Sequence, residues 1–101
     1  MNADECVPAL RALADPSRLK IVELLLAGDH NVNQLAEHLG TAQYNVSKHL
    51  RVLREAGIIV AKREGKEIFC EVAKEFRTRA REGGWLVNLG CCTFRFAPPA
   101  E

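Results

Sequence analysis

Cys91 and Cys92 are adjacent in the chain, and neighbouring thiols can act on one target together. As thiolates they suit soft ions such as As(III) or Cu(I) better than Mg²⁺ or Ca²⁺, because polarisable sulfur matches a polarisable ion. A three-thiolate site needs one more ligand, and the chain holds two further cysteines, Cys6 and Cys70. The same pair would also serve as an oxidisable couple, or as two small apolar side chains in a core. Cys70 falls on the inward phase of an alternating stretch, where packing is the expected role. Thiol catalysis lacks support: no histidine or acid is visibly arranged as a partner, and Cys-x-x-Cys spacing is absent.

A second set of chemically apt residues lies mid-chain. Gln43 and Asn45 carry side-chain amides that can pair bidentately with adenine edges. Tyr44 and Ser47 share their polar face, and Ser47 suits a base or a phosphate. Lys48 and Arg51 suit phosphate, which sets affinity without choosing sequence. Thr41 stands where a helix would begin, a position favourable to phosphate. His49 borders the apolar stripe, so local packing and DNA contact are equal readings for it. The net charge of +1 conceals an uneven distribution. Residues 1–40 carry a balance of −3, residues 41–66 a balance of +4, and the remainder is neutral. Concentrated positive charge of this kind is the footprint of a phosphate-facing surface, although a solvated charged face would look the same on charge alone.

Four helices are expected to position these residues. The first has Pro8 in its opening turn, with Val7, Leu10, Leu13 and Ala14 at helical spacing. The second opens on Asp15 as N-cap with Pro16 behind it. It buries Leu19, Val22, Leu25 and Leu26, widened by Ile21 and Leu24, and ends at Gly28 as a left-handed cap. The third starts near Asn31, aligns Val32, Leu35, Ala36 and Leu39, and stops at Gly40. The fourth is capped by Thr41, points Val46, Leu50 and Leu53 inward, and ends at Gly57. Ala36, Gly40 and Val46 sit at the offsets where a helix-turn-helix needs a small residue, a positive φ and an apolar partner.

The pattern then becomes β-like. Ile58 to Ala61 reads as a strand, Lys62 to Lys66 as a charged turn tipped by glycine, and Ile68, Cys70 and Val72 as the inward residues of a second strand. Lys62, Arg63 and Lys66 would then reach flanking DNA backbone or minor groove as a wing. Residues 73–82 are expected to be helical, with Phe76 and Ala80 on one face. Trp85 to Leu89 fits either a helical piece or a strand.

The segment Leu10-Arg11-Ala12-Leu13-Ala14-Asp15-Pro16-Ser17-Arg18-Leu19 resembles the ArsR/SmtB family of winged-helix repressors. So do Val46-Ser47-Lys48-His49-Leu50-Arg51-Val52-Leu53-Arg54-Glu55-Ala56-Gly57-Ile58-Ile59 and Lys62-Arg63-Glu64-Gly65-Lys66, and the resemblance spans roughly residues 7–80. It implies a homodimer built from the first and last helices, a palindromic double-stranded DNA operator, and release by a metal, metalloid or redox signal. Two family sites do not transfer. The Cys-x-Cys pair before the recognition helix is replaced by Asn31-Val32-Asn33-Gln34-Leu35, and the Asp and His ligands of the last helix are missing. With Cys6 near the first helix, the resemblance suggests a site for As(III) or another thiophilic metal ion. Cys91 and Cys92 of one subunit would join Cys6 of the other.

The expected fold class is α+β and mostly helical: a winged helix-turn-helix with a two-stranded wing, as a homodimer. Residues 1–82 would form the DNA-binding and dimerisation domain, and 83–101 a tail carrying the Cys-Cys pair. No run of eighteen apolar residues exists for a membrane span. Acidic Asp4 and Glu5 near the start do not read as a secretory signal, so a cytoplasmic location is expected, with thiols kept reduced. A protein-binding winged helix is the remaining rival, but it would not need the cations between residues 48 and 66.

Overall fold

The computed structural model of the chain describes residues 3–79 and 84–96. Four helices come first: α1 (Ala3–Leu13), α2 (Pro16–Ala27), α3 (Val32–Leu39) and α4 (Gln43–Glu55), with a two-residue strand β1 (His30–Asn31) between α2 and α3. The wing follows as β2 (Ile59–Glu64) and β3 (Glu67–Val72). A single 3₁₀ turn (Lys74–Phe76) leads to β4 (Arg77–Arg79), β5 (Trp85–Asn88) and β6 (Thr93–Phe96). Among the described residues, no helix is long and apolar enough to cross a membrane.

The helix starts have local causes. Asp15 caps α2 through Oδ1, accepting from the Ser17 and Arg18 amides at 2.8 and 3.1 Å, and Pro16 occupies a position whose N–H would go unused. Asn31 caps α3 in a reciprocal box with Gln34, at 2.8 and 2.9 Å. Helix α1 begins earlier than the apolar spacing predicts. Asp4 and Glu5 fill its first turn, where the helix dipole favours acids. Pro8 therefore lies inside the helix instead of opening it, and Cys6 is a helical residue.

Two expected caps are different. Thr41 does not cap α4: Ala42 holds that position without a side-chain bond. The Thr41 Oγ1 instead accepts from Asn45 Nδ2 at 3.1 Å. Gly28 ends α2 at φ 168°, an extended and not a left-handed conformation. Gly40 is left-handed as expected, at φ 64°, and its amide closes onto the carbonyls of Ala36 and Glu37.

One core unites the helices and the base of the wing. Ile21, Val22 and Leu25 of α2 meet Leu35 of α3, Val46 and Leu53 of α4, and Ile58, Ile59 and Val72, all at most 1% exposed. Each aliphatic side chain buried to this degree contributes about 1.5–3 kcal/mol of transfer free energy. The wing sheet has the order β1-β3-β2, all antiparallel, with Ile59 opposite Val72 and Glu64 opposite Glu67. Ile68 shares the phase of Cys70 and Val72, yet it lies beyond the core and is 48% exposed.

The helix expected over residues 73–82 does not form. Its described part is the 3₁₀ turn and β4, which pairs with β5 so that Arg77 faces Val87 and Arg79 faces Trp85. Ala80 lies outside the described residues. Strands β4, β5 and β6 form a second antiparallel sheet. Its Trp85, Val87, Phe94 and Phe96 are residues that favour pleated, half-buried surfaces. The β4–β5 pairing crosses the expected domain boundary at residues 82 and 83.

Candidate functional site

The polar face of α4 follows from its apolar one. With Val46, Leu50 and Leu53 buried, helical geometry turns Gln43, Tyr44, Asn45, Ser47, Lys48 and Arg51 outward, and all six are exposed. Tyr44 is 71% exposed, unusual for an aromatic ring in a folded chain. These groups are held by one another rather than left to wave. Gln43 Nε2 donates to Asn33 Oδ1 at 2.8 Å. The Lys48 ammonium stands 5.4 Å from the centre of the Tyr44 ring, and Arg51 Nε donates to Glu55 at 3.0 Å. Such partners on an exposed face are weak enough to be exchanged for a ligand.

His49 is half-buried and does not join that outward face. Its Nδ1 lies 3.4 Å from Arg18 Nη1. The same Arg18 guanidinium donates to the carbonyls of Ala12 and Arg11 at the end of α1, and pairs with Asp15 at 3.8 Å. The Arg18 backbone amide, and secondarily the Arg18 charge, hold the Asp15 carboxyl below its ordinary value. An open cleft of about 300 Å³, lined by Ser17, Leu39, Thr41, Asn45, Lys48 and His49, separates the start of α2 from α4. Arg18 and Ser17 were not foreseen as site residues. The Asp-Pro-x-Arg run was the available signal, since it places an arginine one turn beyond an N-cap.

The wing presents Lys62, Arg63 and Lys66 on exposed strand and turn positions. The three differ in availability. Lys62 is already engaged, 3.4 Å from Glu64 and 3.5 Å from Asp29. The hydrogen bond to Glu64 and the Asp29 charge raise its pKa. Arg63 and Lys66 make no ion pair with any described residue.

The thiols converge, but within one chain. Cys6 of α1, fully buried, forms a disulfide with Cys91 across a Cα–Cα distance of 6.3 Å. Cys92 Sγ lies 3.8 Å from Cys91 Sγ. Both sit in the turn between β5 and β6, which is held by Leu89 N donating to Cys92 O and Gly90 N donating to Asn88 Oδ1. The expectation that these cysteines stay reduced does not hold for Cys6 and Cys91. A Cys6 drawn from a second subunit is not needed, because the β5–β6 turn packs on the chain's own α1. Cys70 is buried at 4% exposure, as expected for packing, and burial pushes its thiol pKa up. Among the described residues, no group of three His, Cys, Asp or Glu side chains stands ready for a metal while the disulfide is closed.

Comparisons with known proteins agree with this geometry. The arsR family of bacterial regulatory proteins matches residues 15–61, which run from the cap of α2 into the wing. The transcriptional regulator CmtR of Mycobacterium tuberculosis is 46% identical over 70 residues, covering 69% of this chain and 59% of CmtR. The NMR structure of CmtR, described as a cadmium metal-sensor, matches with a TM-score of 0.60 at 45% identity, over 66% of this chain and 70% of that one. The biofilm growth-associated repressor of Xylella fastidiosa is 39% identical over 87 residues, 86% of this chain and 71% of its own length. The homodimeric winged helix-turn-helix DNA-binding domain Mb0332 of Mycobacterium bovis matches with a TM-score of 0.68 at 32% identity, over 71% of this chain and 67% of that one.

Proposed function

The chain belongs to the ArsR family of bacterial regulatory proteins, and from that premise we propose that it is a cytoplasmic transcriptional repressor, not an enzyme, that binds a palindromic double-stranded operator as a homodimer. One observation carries the reading. Helix α4 is fixed on the core by Val46, Leu50 and Leu53 behind a left-handed glycine corner, and the residues it turns outward, Gln43, Tyr44, Asn45, Ser47, Lys48 and Arg51, are exposed and net basic. A helix so presented enters the major groove. Gln43 and Asn45 read base edges, Ser47 and Lys48 reach base or phosphate, Arg51 leaves Glu55 for phosphate, and Thr41 supports the approach. Arg63 and Lys66 of the wing hold flanking backbone, with Lys62 contributing less because Asp29 and Glu64 already claim its charge. His49 acts from behind the face through Arg18 rather than on DNA. Dimerisation is supported by Val7 and Leu10, one turn apart on α1 and each 37% exposed. Apolar side chains left open together on a helix call for a partner surface.

The release signal in this proposal is a thiophilic metal or metalloid, As(III) among them, bound by reduced Cys6, Cys91 and Cys92. The sulfur spacing fits: bonds of about 2.3 Å to a tetrahedral ion place two thiolates near the 3.8 Å that separates Cys91 from Cys92. A second reading is favoured by the disulfide itself. Oxidation of Cys6 and Cys91, by a peroxide that takes two electrons and two protons to become two waters, would be the signal, and the same bond would deny an ion two of its ligands.

Fluorescence anisotropy on a duplex carrying the region upstream of the gene tests both. The reduced protein should bind with strong salt dependence. Arsenite should release it in the metalloid reading, and peroxide in the redox reading. Failure to retain duplex DNA at low salt would end the repressor proposal. Release by neither agent would end the thiol-signal part.

A further inference from the structure

Two histidines outside both the DNA-facing helix and the thiol cluster are brought together by the fold. His30 is half-buried on β1 and His38 is exposed in the last turn of α3. Eight residues apart in sequence, they meet because α3 folds back beside the strand that precedes it. Their ring centroids are 5.5 Å apart and their planes cross at 79°. Two imidazoles sharing one ion through metal–nitrogen bonds of about 2.0–2.1 Å have ring centres about 5 Å apart, so the spacing already suits a common ligand.

A second observation concerns the tautomer. His30 Nδ1 is 2.7 Å from the carbonyl oxygen of Gly28. That carbonyl can only accept, so Nδ1 carries the hydrogen, and in the neutral ring the lone pair is the one on Nε2. A backbone acceptor fixing one ring nitrogen while the other remains basic is the arrangement that orients metal-binding histidines. It also fixes the ring's orientation before any ion arrives.

We infer that His30 and His38 form a binding site for a borderline divalent transition metal, Zn(II), Ni(II) or Cu(II). Imidazole suits these ions, whereas the thiol cluster suits softer ones. Among the described residues no third His, Cys, Asp or Glu joins the pair. Water completes the coordination shell, and the site is open and exchangeable. Its position gives it a consequence. β1 is an edge strand of the wing sheet and α3 is the first helix of the helix-turn-helix, so a bound ion staples one to the other.

The test uses Zn(II) on the full chain in its disulfide-bonded form, without DNA, so its outcome is independent of the repressor proposal. The protein has three histidines, and their ring proton resonances can be followed one by one. Zn(II) should move the His30 and His38 signals together, saturating at one equivalent, and leave His49 in place. His30→Gln and His38→Gln should each weaken Zn(II) tenfold or more, and the double variant should be no weaker than either single one, because both remove the same site. Repeating the titration in Cys92→Ser, which keeps the disulfide, should change nothing. The inference is overturned if only one of the two rings responds, if His49 responds equally, if the single variants bind as tightly as the parent, or if Cys92→Ser abolishes binding.

Discussion

Gly40 and Gly28 offer a paired perturbation whose sign depends on backbone conformation alone. Both follow a helix, and an added Cβ at either meets no atom within 4 Å. At Gly40, φ is 64°, and an L-residue held in the left-handed region costs about 1–2 kcal/mol. At Gly28, φ is 168°, which any residue adopts; alanine there only restricts the unfolded chain, worth about 0.4–1 kcal/mol in favour of folding. Gly40→Ala should therefore lower the unfolding midpoint and Gly28→Ala should raise it slightly. At roughly 4–8 °C per kcal/mol for a domain near this size, the two midpoints should differ by at least about 6 °C. Thermal unfolding followed by circular dichroism, with the disulfide in the same state throughout, measures this. Gly40→Asn should recover part of the loss, since asparagine tolerates the left-handed cap. If Gly28→Ala falls as far as Gly40→Ala, or if Gly40→Ala is neutral, the assignment of the corner's strain to φ is wrong.

Other outcomes follow from the site. Asn45→Ala should cost about 1–3 kcal/mol of discrimination at one base pair of each half-site, leaving non-specific binding unchanged. Lys48→Ala should weaken all duplexes alike and reduce the log–log salt slope by about 1 per subunit; competition and salt titrations separate the two. Asp15→Ala removes the α2 cap and should cost about 1 kcal/mol at neutral pH. Because the Asp15 carboxyl titrates below its ordinary value when folded, its stabilisation is present above about pH 4 and fades as pH falls through the lowered native value, so the gap between variant and parent should close in acid. Reducing the disulfide between Cys6 and Cys91, 85 residues apart, should cost about 2–4 kcal/mol, read as a lower urea midpoint with reductant than without. An unchanged midpoint would mean the link does not constrain the unfolded chain.

Local chemistry made the helix-turn-helix legible in the sequence. Asp15-Pro16 announces the start of α2 because cap and first-turn preferences act within three residues, and Gly40 announces the corner because few residues tolerate its φ. The outward set on α4 follows from the spacing of Val46, Leu50 and Leu53. What escaped was decided by partners distant in sequence. Strand β1 is two residues long and exists because His30 and Asn31 pair with Cys70 and Phe69. Arg77, Thr78 and Arg79 carry no strong preference against a helix, yet they become a strand because Trp85, Leu86 and Val87 lie opposite. His49 stands beside Arg18, a neighbour 31 residues away in the chain that no local pattern announces. Cys6 met Cys91 within the chain because α1 begins at Ala3, which places that thiol on a buried helical face.

Arg18 reaches further than its place on α2 suggests. One planar guanidinium grips the last carbonyls of α1, the Asp15 carboxylate and the imidazole of the fourth helix. A lysine, with a single point charge, could not span those directions at once. The stem that carries Cys6 and the rod that carries Asn45 and Lys48 meet at this one group. The bond between Cys6 and Cys91 and the side chains of Asn45 and Lys48 thus belong to two helices that a single side chain ties together.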